Sequence, residues 1–181
     1  MADVNINFNE LNALLGSVNL DNVTADSGSG FEELPDGFYL SEVETAELTV
    51  SKNTGNPQVA MQLKVVEDGL GSYVDERGFA KLKNIEHTKN RKIFKYYPLT
   101  NEKTVKTFVS DMLKFEGTPG EPLLPEEAFM TGEVLEEALS VLIGSRIYVQ
   151  ISTTTKKNSD EKQSWRNLIS WNRAKTLELP E

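Results

Sequence analysis

The chain has no cysteine and a single histidine among its 181 residues. Without cysteine there can be no disulfide, thiolate zinc site or cysteine nucleophile, which agrees with a reducing compartment. One histidine leaves almost no material for a histidine-based triad or a multi-histidine metal centre. His87, set among Glu86, Thr88 and Lys89, reads as a solvated loop residue or as a phosphate or base contact. Positive charge is scarce too: 19 Lys and Arg face 28 Asp and Glu, a net charge of −9. That balance argues against a protein that coats duplex DNA by bulk charge. No apolar run approaches the roughly 20 residues that cross a bilayer. Met1 to Asn9 lack the basic start and apolar core of a signal peptide, so a cytoplasmic location and no membrane partner are expected. There is no phosphate-cradling Gly-Lys-Ser/Thr motif, no calcium-loop spacing in Asp26 to Glu33 and no serine in a nucleophile elbow.

The cations that do occur are gathered. Between Phe79 and Lys106, Lys81, Lys83, Lys89, Arg91, Lys92, Lys95, Lys103 and Lys106 face only Glu86 and Glu102, and surround Phe79, Phe94, Tyr96 and Tyr97. Cations interleaved with rings suit a strand of phosphates and unstacked bases. The bland reading is an edge strand whose lysines block aggregation.

Residues 1–33 hold six carboxylates and no Lys or Arg, and their end, Asp26-Ser27-Gly28-Ser29-Gly30, is flexible in composition. They read as an acidic arm and linker, in which Phe8, Leu11, Leu14 and Leu15 have helical spacing. After the Pro35-Asp36-Gly37 turn, Phe38 to Val50 reads as a first strand. The turn formers of Ser51 to Pro57 lead to a second strand, Val59 to Val66, with apolar alternation. A third strand is expected within Phe79 to Tyr97, with Ile93, Lys95 and Tyr97 on one side and Lys92, Phe94 and Tyr96 on the other.

Thr100 or Asn101 can cap a helix with Val105, Phe108, Val109, Met112 and Leu113 inward, and a second helix is expected from about Thr131, with Val134, Leu135, Ala138, Leu139 and Leu142 inward. Glu116 to Ile143 carries seven glutamates and no basic residue, so this side is expected to be solvated and turned from phosphate. A closing hairpin pairs Arg146 to Thr153 with Ser164 to Asn172, and Trp165 and Trp171 share the parity of Ile169, a core placement. The domain is thus expected over 34–173, with 174–181 as a short acidic tail.

The expected order is β-β-β-α-β-β, mainly β with a helical insert between strands 3 and 4. It is the order of an OB-fold, a five-stranded Greek-key barrel that binds oligonucleotides on strands 2 and 3 and on the loops joining strands 1–2 and 4–5. Those loops carry Lys52, Lys156 and Lys157. The candidate nucleic-acid-binding residues are therefore Lys52, Lys81, Lys83, Lys89, Arg91, Lys92, Phe94, Lys95, Tyr96, Lys156, Lys157 and Arg166.

Leu34-Pro35-Asp36-Gly37-Phe38-Tyr39 leading to Glu42-Val43 and Glu47, then Ser51 to Pro57, Ile143-Gly144-Ser145-Arg146, Val149 and Trp165-Arg166-Asn167 together resemble the phage-encoded single-stranded DNA-binding proteins with an OB-fold. The resemblance covers roughly 34–172. It implies a non-enzymatic protein of DNA replication or recombination that coats single strands in the host cytoplasm without a cofactor, and whose acidic arm or tail meets replication or recombination proteins. Such proteins often end in a longer acidic tail than Glu178 and Glu181 provide. Two other classes compete. One is a Mg²⁺ nuclease using Asp36 or Glu44 with Gln62-Leu63-Lys64, where glutamine stands in a carboxylate's place. The other is a protein-interaction or structural β-domain, an adaptor or virion component, that binds no nucleic acid.

Overall fold

Alternating large apolar residues fix where the sheet turns its buried face. In β1 (Gly37–Val50) and β2 (Pro57–Val65), Tyr39, Val43, Ala46, Val59, Met61, Leu63 and Val65 point into one core. The chain is seen in a computed structural model that describes Asn12, Ala13 and residues 33–180. It divides after Glu33, and the helix expected on Phe8, Leu11, Leu14 and Leu15 lies outside the described residues, as does the linker.

The architecture is mainly β, an antiparallel sheet with a few short helices. β1 pairs with β2 along Ser41–Val50 and with β8 (Arg146–Thr155) along Gly37–Glu42. It can serve both because a bulge between Val43 and Thr45 bends it, and Val43 exchanges backbone hydrogen bonds with Gly144 and Ser145 instead. β2 pairs with β5 (Lys92–Pro98), and β8 with β9 (Lys162–Ile169). The strands thus run β5-β2-β1-β8-β9.

The expected single strand over Phe79–Tyr97 is corrected by an extra hairpin. β3 (Gly69–Val74) and β4 (Ala80–Ile85) pair with each other, and β3 touches β1 at Phe38–Leu70 alone. This arm is an excursion clamped at its base: Val65 bonds Asn90 and Arg91 through the backbone, and the Asp68 carboxylate accepts from the Thr88 and Lys89 amides at 3.0 and 2.9 Å. Glycine is needed there. A Cβ at Gly37 would lie 2.7 Å from the Leu70 carbonyl oxygen, and one at Gly69 would enter the Tyr39 ring.

After β5, α1 (Glu102–Met112) starts from Asn101, whose side chain accepts from the Thr104 amide at 3.0 Å while Thr104 Oγ1 accepts from the Asn101 amide at 3.2 Å. Phe108 and Met112 face the core; Val105 and Leu113, expected inward, are exposed. A small hairpin of β6 (Glu116–Thr118) and β7 (Glu121–Pro122) and a 3₁₀ turn (Glu126–Phe129) lead to α2 (Gly132–Leu139), capped by Thr131. Leu135, Leu139 and Leu142 are buried, Val134 is not.

The last strand is shorter than expected. Ser170 caps α3 (Trp171–Thr176), so Trp171 and Asn172 begin a helix rather than end a strand. Nor is the segment after Arg173 a free acidic tail. Leu179 is buried beside Phe38, Leu40, Tyr148 and Ile169 on the sheet's second side, with Leu177 and Trp171 packed against them, and Tyr148 donates its hydroxyl proton to the Pro180 carbonyl at 2.7 Å. Burial of Leu179 and partial burial of Leu177 favour this packing.

Three tyrosines give the fold an alkaline limit. Burial first, then nearby Asp36, pushes Tyr39 up to about 12; burial, then Glu67, does the same to Tyr148; burial and Asp111 push Tyr97 higher still. A group held protonated this way contributes in full below its unfolded pKa of 10.0 and loses that contribution as pH rises through the folded value. Lys95, whose pKa burial lowers from 10.5, works in the opposite sense up to that pH. The urea midpoint is therefore expected to fall between about pH 10.5 and about pH 12. A midpoint that held constant there would mean that these rings are solvated.

Candidate nucleic-acid interface

The pleat of β5 sorts its residues as parity requires. Ile93 and Tyr97 are buried, with half-buried Lys95 between them, while Lys92, Phe94 and Tyr96 point outward, the two rings 38% and 57% exposed. On the outer face Lys92 lies opposite Lys64, Phe94 opposite Gln62 and Tyr96 opposite Ala60. Glu44, at the bulge, accepts from Gln62 Nε2 at 2.6 Å and Lys92 Nζ at 3.1 Å, and these two bonds hold its carboxyl below the usual range. Lys92 is therefore already paired.

Lys95 and Arg166 do something else. Lys95 Nζ donates to the Arg166 carbonyl, and Arg166 Nη1 donates to the Phe94 carbonyl at 3.3 Å. Among the described residues no backbone ladder joins β5 to β9, and these two cations bridge the strands directly. The Lys95 ammonium also sits 5.1 Å from the centroid of the Tyr97 ring. Behind it the Tyr97 hydroxyl donates to Asp111 Oδ2 at 2.8 Å, and Lys114 Nζ donates to Asp111 Oδ1 at 2.7 Å and to the Leu168 carbonyl at 3.0 Å.

The other candidates occupy separate places. Lys81 and Lys83 stand on the β3–β4 arm: Lys81 pairs with Asp75 at 3.1 Å, and Lys83 lies 5.9 Å from the Tyr73 ring centroid. Asp75 also accepts from the Arg77 and Phe79 amides at 2.9 Å, so the arm's tip is a preset turn that leaves Phe79 66% exposed. Lys52 and Lys157 are exposed on the β1–β2 and β8–β9 loops, where Lys156 pairs with Glu161 at 2.9 Å. Lys89 is exposed and Arg91 half-buried in the turn that returns the chain from the arm, where His87 and Asn90 take positive φ.

The basic island is thus split between an arm, a turn and β5. Two exposed rings were missed. Trp165, 46% exposed with Nε1 donating to Thr154 Oγ1 at 2.9 Å, is not a core residue, and Tyr73 stands on the arm beside Lys83. Trp171 keeps its core placement only partially, edge-on to Tyr148. Of the nuclease carboxylates, Asp36 accepts from the Thr153 amide at 3.0 Å and hydroxyl at 2.7 Å, and Glu44 is engaged as above. Among the described residues no three His, Cys, Asp or Glu stand together so as to hold a metal.

Residues 21–93 match the model of a protein family of unknown function, DUF669, a stretch that runs through β1, β2 and the arm into the start of β5. No curated protein matches the chain. A solved structure, the Plasmodium falciparum SSB in complex with ssDNA, is similar over 79% of this chain and 93% of that one, at 11% identity and a TM-score of 0.21.

Proposed function

We propose that the chain binds single-stranded DNA without sequence preference, on the outer face of an OB barrel built from β1, β2, β5, β8 and β9, and performs no chemistry on the strand. The carrying observation is β5 itself, which presents Phe94 and Tyr96 outward beside Lys92. Exposed rings on a rigid strand cost solvation in the free protein and suit bases, which stack on any ring at about 1–3 kcal/mol each. Trp165 and the loop cations Lys52 and Lys157 extend the same reading. The setting it fits is phage DNA replication or recombination in a host cytoplasm, with partner proteins met by the acidic N-terminal arm; the C-terminal segment is packed and unsuited to that task.

Fluorescence anisotropy of a labelled oligo-dT at two salt concentrations tests this. Binding that weakens steeply with salt supports it, and no binding at micromolar protein and low salt sinks it. Because Lys81, Lys92 and Lys156 already hold carboxylates, the salt slope is expected to be shallower than the number of clustered cations implies. Replacing Glu44 by glutamine frees Lys92 for phosphate. It is expected to tighten binding by several-fold and to steepen the log–log slope by about 1. An unchanged slope in that variant would place Lys92 outside the strand's path.

A further inference from the structure

The acidic side of the protein is not merely solvated. Between α1, β7 and the 3₁₀ turn lies a cleft of about 620 Å³ lined by Val109, Leu113, Pro122, Leu124, Pro125 and Phe129, with Glu126 at its rim. Leu113 is 41% exposed at its wall and Met130, just beyond it, 77%. Apolar side chains grouped in a concave surface mark a contact site rather than ordinary surface.

The charges around the cleft say what could fill it. From Phe115 to Ser145 the sequence carries seven glutamates and no Lys or Arg. Of the nearby lysines of α1 and its end, Lys106 pairs with Glu102 at 2.8 Å and Lys114 is turned to Asp111 and the Leu168 carbonyl. Such a field repels nucleic acid and anionic lipid alike, and draws in a cationic ligand. We infer that this cleft is a protein-docking site for a basic amphipathic segment of another protein, whose apolar side chains enter between Leu113 and Phe129 while flanking Lys or Arg residues face Glu126 and Glu127. The site is independent of the single-strand reading and stands on a different face of the fold.

Three labelled peptides of one length test it: one with Leu and Phe anchors four residues apart among lysines, one with both anchors replaced by serine, and one with the lysines replaced by glutamate. The first is expected to bind the full chain and the other two to fail. Leu113→Asp should weaken binding at least about tenfold, and Glu126→Lys with Glu127→Lys by a similar factor. Excess oligo-dT should leave the peptide in place. Equal binding of the serine peptide, an unaffected Leu113→Asp variant, or displacement by oligo-dT would each overturn the inference. Glu126 and Glu127 are exposed, so if Leu113→Asp unfolds the chain, the charge reversal decides.

Discussion

A chain carrying Phe94→Ala and Tyr96→Ala is expected to lose most of its affinity for oligo-dT while melting where the unchanged protein does. Each ring contributes on the order of 1–3 kcal/mol to stacking, so either single change should weaken binding about 5- to 150-fold, and the pair by up to the product. Both rings stand outward on β5, opposite Gln62 and Ala60, and neither belongs to either buried cluster, so the cost to stability should stay near about 0.5 kcal/mol. The log–log salt slope should not move, because no phosphate contact is removed. Intact affinity in the double variant would end the stacking proposal; a lowered melting temperature would show that the rings are structural.

The largest effect on stability is expected at Asp111. This carboxylate is nearly buried and holds two donors, the Tyr97 hydroxyl in the core and the Lys114 ammonium, which in turn reaches the Leu168 carbonyl of β9. Alanine there strands a buried hydroxyl and leaves a partly buried cation without its counter-charge. Breaking a buried pair from one side costs about 3–5 kcal/mol, and the partial exposure of Lys114 sets the expectation at about 3. Asp111→Asn keeps an acceptor for Tyr97 and should cost about 1 kcal/mol. Urea midpoints for the two variants check this; equal losses would mean that the charge facing Lys114, not the acceptor for Tyr97, carries the effect.

Where the sequence carried a period or a cap, the fold was legible. β1 follows from its aromatic and β-branched content and β2 from alternation, the first helix start was legible as Thr100 or Asn101 and the second as about Thr131, and the parity of β5 correctly set Phe94 and Tyr96 apart from Ile93 and Tyr97. The β3–β4 arm left no such mark. Gly69 is glycine because the Tyr39 ring occupies the space a side chain would need, and with Gly71 two positions later the strand lacks the alternation that announces one. Parity also misled. Trp165 and Ile169 share a face of β9, but the cover supplied by α3 and Leu179 reaches only the Ile169 end. At the site, composition could count cations but not their partners: Glu44 lies 48 residues from Lys92, and Lys95 meets a carbonyl 71 residues away.

That last contact has a mechanical consequence. Along β5-β2-β1-β8-β9 the neighbouring strands are joined by ladders, which resist sliding because many bonds must break together. Between β5 and β9 the polar connection is made by side chains: Lys95 and Arg166 each grip a single carbonyl, and Tyr97 reaches the Leu168 carbonyl through Asp111 and Lys114. Side-chain bonds of this kind can be lost one at a time, whereas the bonds of a ladder break together. One of these bonds ends on the Phe94 carbonyl, so the fastening is part of the strand that carries the exposed rings.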